Sequence, residues 1–249
     1  MLILGYPDRA RTRIHEGLDV AQQLSQPLHL VWGEHIGATF YQLCREPLAA
    51  KEWADAVSMH TTEHGLQFAA DTAQFIQGWV MTEAGDHAAG MAQMRQGIAA
   101  YRARNGDLSM PRWFTYLAEA HRRHGQVEAG LEVLAEAQAL IDKNGDRLFE
   151  AEIYRLRGEL LSRAEAETIH AEGGPEASFR QALEVARMQR AKWLELRAAV
   201  SLCRLWQQEG RRAEARALLA ETYAWFTEGF DTVDLQVARA LLDELSEND

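Results

Sequence analysis

The sequence predicts an all-α fold, a solenoid of about twelve antiparallel helices, and three observations predict it. The first is a period of 40 residues. Ile14, Ala54, Met94 and Leu134 fall at steps of 40, Phe179 follows after 45, and Leu219 after another 40. Smaller residues keep the same time at Gly17, Val57, Gly97, Ala137, Ala182 and Thr222, and again at Ala38, Gly78, Ala118, Gly158 and Cys203. The second is turn chemistry in phase with that period, at Gly5, Arg45, Gly85, Gly125 and Gly210. The third is composition: helix formers dominate, only five prolines occur in 249 residues, and no sustained β-branched alternation is present. Several registers sharing one period of this length mark stacked helical repeats, each burying its apolar face on its neighbours.

Each repeat reads as helix A, a tight turn, helix B and a short loop. The helix B stretches are 8–24, 47–63, 87–104, 127–143, 175–190 and 212–228. The helix A stretches are 29–43, 68–83, 111–123, 147–164, 193–208 and 231–245. Glycine ends a helix A because it takes the left-handed conformation without a Cβ clash. Pro7, Pro47 and Pro175 suit the first turn of a helix B, where a missing N–H is tolerated, and Pro27 and Pro111 stand just before a helix A. Asn105-Gly-Asp and Asn144-Gly-Asp are breakers after helix B. The single 45-residue step implies an insertion within 164–174. Glu165, Glu167, His170, Glu172, Gly173 and Gly174 make it polar, so a long loop or frayed helix end is expected there. The registers have a packing reason. Small residues in the Ala38 and Gly17 series let paired helices approach closely, while Ile14, Met94, Leu134, Phe179 and Leu219 fill the space between.

The chain 1–249 therefore reads as one solenoid. Residues 1–4 are too few for a helix A, although Leu2-Ile-Leu-Gly5 has the pattern of the last turn of one. The chain is expected to begin within a repeat, either as a fragment of a larger protein or as a stand-alone one. The incomplete first repeat should expose an apolar edge through which a homo-oligomer could form. At the other end, helix 231–245 is expected to act as a solvating cap.

The net charge of −11 repels polyanions on average and argues against nucleic-acid binding. Cys44 and Cys203 fall in different repeats, so no disulfide framework is expected and a reducing compartment fits. There is no charged start followed by an apolar run, and no apolar run of about 18 residues. A cytoplasmic location away from any membrane is expected.

His60-Thr-Thr-Glu-His64 matches the H-x-x-E-H pattern, which on a helix places two imidazoles on one side. No third ligand is evident, His60 lies in an inward register, and no metal or other cofactor is expected. With helix A lining the concave face, Trp32, His35, Thr39 and Gln42 should project from one repeat and Phe75, Trp79 and Thr82 from the next. Arg112, Thr115, Glu119 and Arg122 follow, then Glu152, Arg155 and Glu159, then Arg197, Arg204 and Gln207. An aromatic end and an arginine-rich end would then share one wet groove. Its ligand-binding candidates are Trp32, His35, Phe75, Trp79, Arg112, Glu119, Arg122, Arg155 and Arg204. No spacing supports a catalytic arrangement.

The run 179–245 carries a family likeness: Phe179-Arg-Gln-Ala-Leu-Glu-Val-Ala186, Leu194-Glu-Leu-Arg-Ala-Ala199, Leu205-Trp-Gln-Gln-Glu-Gly210 and Trp225-Phe-Thr-Glu-Gly-Phe-Asp231. It resembles the C-terminal repeats of large bacterial signalling proteins, which join a nucleotide-cyclase or DNA-binding module to a STAND-type ATPase and end in tetratricopeptide-like (TPR-like) repeats. Gly5-Tyr-Pro-Asp-Arg-Ala10 and Ile14-His-Glu-Gly-Leu18 resemble an internal repeat of the same family. The resemblance implies a right-handed TPR-like α-solenoid and a sensor or interaction role. It implies no cyclase or ATPase activity, because no glycine-rich segment ends in Gly-Lys-Ser/Thr. The repeat length is also similar to that of the sugar-sensing solenoid of the maltose-regulon activators. The expected function is a non-catalytic scaffold binding a protein, a peptide or a small effector; a small-ligand receptor and an oligomerisation scaffold remain open beside it.

Overall fold

The computed structural model describes residues 1–24, 26–66, 69–164 and 173–247. Among these, twelve α-helices follow one turn of 3-10 helix at Leu2–Leu4, and no strand occurs. The helices are α1 (Pro7–Leu24), α2 (Pro27–Leu43), α3 (Pro47–His64), α4 (Ala70–Glu83), α5 (His87–Asn105) and α6 (Met110–Arg123). They continue as α7 (Val127–Asn144), α8 (Glu150–Leu161), α9 (Pro175–Met188), α10 (Lys192–Gln208), α11 (Arg212–Ala224) and α12 (Val233–Ser246). The all-α expectation holds. No described helix is long and apolar enough to cross a membrane.

The helices form two layers. Each even-numbered helix packs on the odd-numbered helices before and after it, and also on the next even-numbered one, so the even helices form the inner layer. The small-residue register lies in that layer. Ala38, Gly78, Ala118, Gly158 and Cys203 are all buried. At Gly78 a Cβ would sit 2.7 Å from the backbone nitrogen of Met94 and 2.8 Å from the carbonyl oxygen of Gly90. At Gly158 it would sit 2.5 Å from the Phe179 ring. A small residue on the inner helix thus faces the large-residue register of the outer helix that follows, and at Gly78 two backbones come into contact.

Helix ends follow turn chemistry. Pro7, Pro47 and Pro175 begin α1, α3 and α9; Pro27 and Pro111 also fall within a first turn, of α2 and α6. Asp86 caps α5, its carboxylate accepting the Ala89 N–H at 3.3 Å. Gly5, Gly85, Gly125 and Gly210 have φ of +93°, +95°, +74° and +79°. Arg45 occupies the same turn with φ of +62°, a conformation that costs a non-glycine residue about 1–3 kcal/mol.

Two helices are shorter than their patterns suggest. α8 spans 150–161 rather than 147–164, and α11 stops at Ala224 rather than 228. Of the expected insertion, residues 165–172 lie outside those described; Gly173 and Gly174 have φ of +88° and +81°. The early end of α11 has a cause far away in sequence. The array curves until its first and last elements meet, and residues 225–232 dock on the beginning of the chain. Trp225 packs on Tyr6 with ring centroids 5.4 Å apart. The Gly229 N–H donates to Asp8 at 3.0 Å, the Arg9 N–H donates to Glu228 at 3.0 Å, and the Arg45 guanidinium pairs with Asp234 at 3.1 Å.

The close inner–outer approach is checked by the sign of one substitution. Helix propensity alone would make Gly78→Ala stabilising by about 0.8–1 kcal/mol. Contact with the Met94 and Gly90 backbone should instead make it destabilising by roughly 1–3 kcal/mol, and Gly158→Leu should cost at least as much. Urea midpoints at unchanged m-value decide between the two signs.

Candidate functional site

Helical spacing gathers charge at the centre of the inner layer. Glu119 and Arg122 stand three apart on α6, Arg155 and Glu159 four apart on α8, and Arg197, Ser201 and Arg204 at steps of four and three on α10. Residues so spaced share one face of a helix. Together with Arg45 from the α2–α3 turn, Arg163 just past α8, and Asp234 and Val237 of α12, they surround a cavity of about 200 Å³. A smaller recess of about 20 Å³ adjoins it, floored by Trp79, Thr115 and Tyr116 and sharing Arg45, Glu119 and Arg197.

Most of these charges are held in a network. Arg122 makes a two-pronged pair with Glu119, both bonds 2.7 Å, and lies 3.8 Å from Glu159. Arg123 bridges Glu119 and Glu83 at 3.0 and 2.6 Å. Arg155 donates to both oxygens of Glu152 at 2.9 and 2.7 Å and reaches Glu159 at 3.3 Å. The Ser201 hydroxyl donates to Glu159 at 2.6 Å. Arg197 pairs with Glu152 at 3.1 Å and lies 3.9 Å from Asp234. Arg163 donates to the Arg122 carbonyl at 3.1 Å. Arg204 is exposed and has no ion-pair partner among the described residues.

The balance is cationic. Six guanidinium groups (Arg45, Arg122, Arg155, Arg163, Arg197, Arg204) face three carboxylates (Glu119, Glu159, Asp234), an excess of three; counting Glu152 behind them leaves two. This stands inside a chain of net charge −11. Burial alone would raise the Glu119 pKa, but the bonds and charges of Arg122, Arg155 and Arg123 outweigh it and hold that carboxyl far below the usual range. Glu152 is lowered in the same way, burial being outweighed by Arg155 and Arg197. Burial disfavours the Arg155 cation, yet Glu152, Glu159 and Glu119 raise its pKa further still. All of these groups stay charged near neutrality.

Glu119, Arg122, Arg155 and Arg204 therefore meet as the sequence suggests. Other candidates are placed elsewhere. Phe75 is fully buried and stacks on Trp113 with centroids 4.4 Å apart. Trp79 is 3 % exposed, edge-on to Tyr116 at 5.9 Å. The inner helices pack on one another as the array curves, so the aromatic half of the expected groove is core. Trp32 is exposed, but on an apolar face shared by α1 and α2, apart from the arginines. Arg122 lines the cavity but is not freely solvated: its side chain is 17 % exposed and bonded to Glu119. Its removal would cost more than a surface substitution.

Arg112 and His35 form a second polar spot between α2 and α6. Arg112 donates to Gln42 at 3.0 Å with no carboxylate in bonding reach among the described residues, and desolvation lowers its pKa. Desolvation, helped by the Arg112 charge, pushes the His35 imidazole down to about 4. His121 is likewise lowered by burial. It sits 2.8 Å from the Arg95 guanidinium and 2.7 Å from Gln126 Oε1, a geometry that fits a neutral ring protonated at Nδ1. His60 Nδ1 lies 2.9 Å from Glu34, and its ring stacks on His64 at 6.3 Å. The described residues bring together no group of three His, Cys, Asp or Glu able to hold a metal ion. Cys44 and Cys203 are buried and free, and burial pushes both thiols up, Cys203 to about 12.

Arg45 and Asp234 are the site residues that helical spacing does not reveal, whereas Arg163 continues the four-residue steps of Arg155 and Glu159. Arg45 did leave a signal, as the one non-glycine in the turn register. No protein-family model matches the chain, and no curated protein matches it.

Two outcomes follow from this electrostatics. Arg155→Met leaves buried Glu152 with Arg197 alone and should cost about 3–5 kcal/mol, while Arg112→Met removes a desolvated cation and leaves only the neutral Gln42 amide without its bond, and should cost clearly less. Thermal unfolding of the pair checks the contrast. The depressed pKa values of His35 and His121 mean that the unfolded chain takes up these protons first. Their contribution is complete above pH 6.5 and lost as pH falls through the folded value, about 4 for His35. The urea midpoint should drop across that window, and His35→Gln should flatten the drop.

Proposed function

We propose that the chain is a non-catalytic, effector-binding, right-handed TPR-like α-solenoid that holds a small multivalent anion at the arginine-rich centre of its concave face. The observation that carries this reading is the excess of guanidinium over carboxylate around one cavity, with no ion-pair partner for Arg204 among the described residues and Arg45 kept in a backbone conformation that four equivalent turns assign to glycine. Strained backbone that puts a charged side chain into a cavity is a mark of a working site. Guanidinium forks bind carboxylate and phosphate oxygens in pairs, which favours an effector carrying two or more such groups. The shifts at Glu119 and Arg155 both favour the charged form, which suits binding rather than proton transfer.

A small ligand is favoured over a long peptide. The Arg45–Asp234 and Arg112–Gln42 contacts cross the interior between distant helices, and an extended peptide laid along it would have to break them. They also suggest how binding would be transmitted. An anion that engages Arg45 and Arg197 competes with Asp234, the residue through which the α2–α3 turn is clasped to α12. Occupancy would change the contact between the two ends of the array. The likeness of 179–245 to the repeat regions of bacterial STAND-ATPase regulators supports placing such a module in the cytoplasm as a sensor.

Calorimetric titration with pyrophosphate and citrate at low salt tests the reading. Arg204→Ala leaves no partner stranded and should fold normally, but weaken binding by roughly ten- to a hundredfold, the loss of one charged hydrogen bond. Arg45→Gly relieves the turn but removes the partner of buried Asp234, so it should bind more weakly while losing some stability and still giving the circular dichroism of a folded chain. Failure of both anions to bind, or unchanged affinity in both variants, would sink the proposal.

A further inference from the structure

The repeat register exposes a second feature, independent of the arginine cavity. In α3, α5, α7, α9 and α11 the outer-helix positions Val57, Gly97, Ala137, Ala182 and Thr222 are buried. A Cβ on Gly97 would lie 3.0 Å from Phe75 and from the Asp71 carbonyl oxygen of the inner helix that covers it. Gly17 occupies that register in α1, and there a Cβ would meet nothing within 4 Å. No inner helix among the described residues covers α1 at this register. The first outer helix keeps the glycine that close helix contact requires, at a cost in helix stability of about 1 kcal/mol relative to alanine, with no helix seated on it.

The uncovered face is a groove of about 530 Å³ between α1 and α2, lined by Gly17, Val20, Leu24, Trp32, Gly33 and Ile36 among others. It is the main apolar surface of the molecule. Thirteen large apolar side chains are exposed among the described residues, and five of them (Val20, Leu24, Leu28, Trp32, Ile36) fall on these two helices, each 45–54 % exposed. The other eight are distributed over several separate elements. Contiguous apolar patches of this kind mark interaction surfaces.

We infer that this face is an isologous dimer interface, covered by the same face of a second copy. Two features of the face point to that occupant. First, the face is complementary to itself. Leu28, Trp32 and Ile36 form a ridge at four-residue steps along α2, while Gly17 and Gly33 leave the recess beside it. A two-fold axis would lay the α2 ridge of each copy into the recess of the other, which is the demand an isologous contact makes. The α2 ridge then covers Gly17 as an inner helix covers Gly97. Second, the charge permits it. Arg13 is the one residue of fixed charge lining the groove, at its edge and paired with Glu16 at 2.7 Å. The rest of the lining carries no fixed charge, so two chains of net charge −11 can meet here over a largely apolar contact.

Sedimentation velocity and light scattering over a dilution series test this on the full chain. The wild type should have twice the mass of the 28.1 kDa protomer and dissociate on dilution. Trp32→Glu should give a folded monomer. Gly17→Gln has open space around it in the protomer, so it should keep the circular dichroism and melting of a folded chain, yet fill the recess and also yield monomer. A wild type that is monomeric at every concentration overturns the inference, whether the groove stays open or takes a foreign helix. So does a dimer that both variants leave intact.

Discussion

The molecule depends on how closely an inner helix can approach the outer helix that follows it. Where Gly78 meets Met94 and Gly90, the contact is backbone to backbone, and no side chain larger than hydrogen fits without displacement. Gly158 makes the same approach to a phenyl ring. These contacts fix the inner helices against the outer ones. Because the inner helices also touch each other in succession, the layer curves, and its curvature brings charged faces from α6, α8 and α10 to one point. The cavity is thus a product of helix spacing as much as of the arginines that line it.

The helices were legible in the sequence because their signals are local. Pro47 and the Arg45 turn bound the start of α3, Asn144-Gly the end of α7, and the 40-residue registers set which positions are covered. The end of α11 was not legible. Residues 225–228 continue a helical pattern, yet Trp225 leaves the helix to pack on Tyr6, more than 200 positions away. Local periodicity carries no information about a contact made only when the array closes. No fold-level pattern in the sequence states how tightly successive repeats will curve.

The same division runs through the site. Glu119, Arg122, Arg155 and Arg204 could be placed together because each is fixed by spacing on its own helix. Phe75 and Trp79 looked equally available, since nothing local distinguishes an aromatic side chain facing an open groove from one facing a neighbouring inner helix. Arg45 and Asp234 were missed because they meet across 189 positions, although the arginine in a glycine turn was an anomaly in plain view.

An open stack of helical hairpins behaves as a one-dimensional chain of neighbours, and its terminal units fray independently of the rest. Here the terminal units hold each other. Asp8 and Arg9 bond Gly229 and Glu228, and the α2–α3 turn is fastened to α12. Opening either end therefore breaks contacts at both, so the two least protected regions of a linear array become thermodynamically coupled. Amide protons at the first and last helices would then exchange together rather than as two separate frayed ends. The closure changes the molecule from a row of semi-independent modules into a single cooperative body held by the contacts that join its ends.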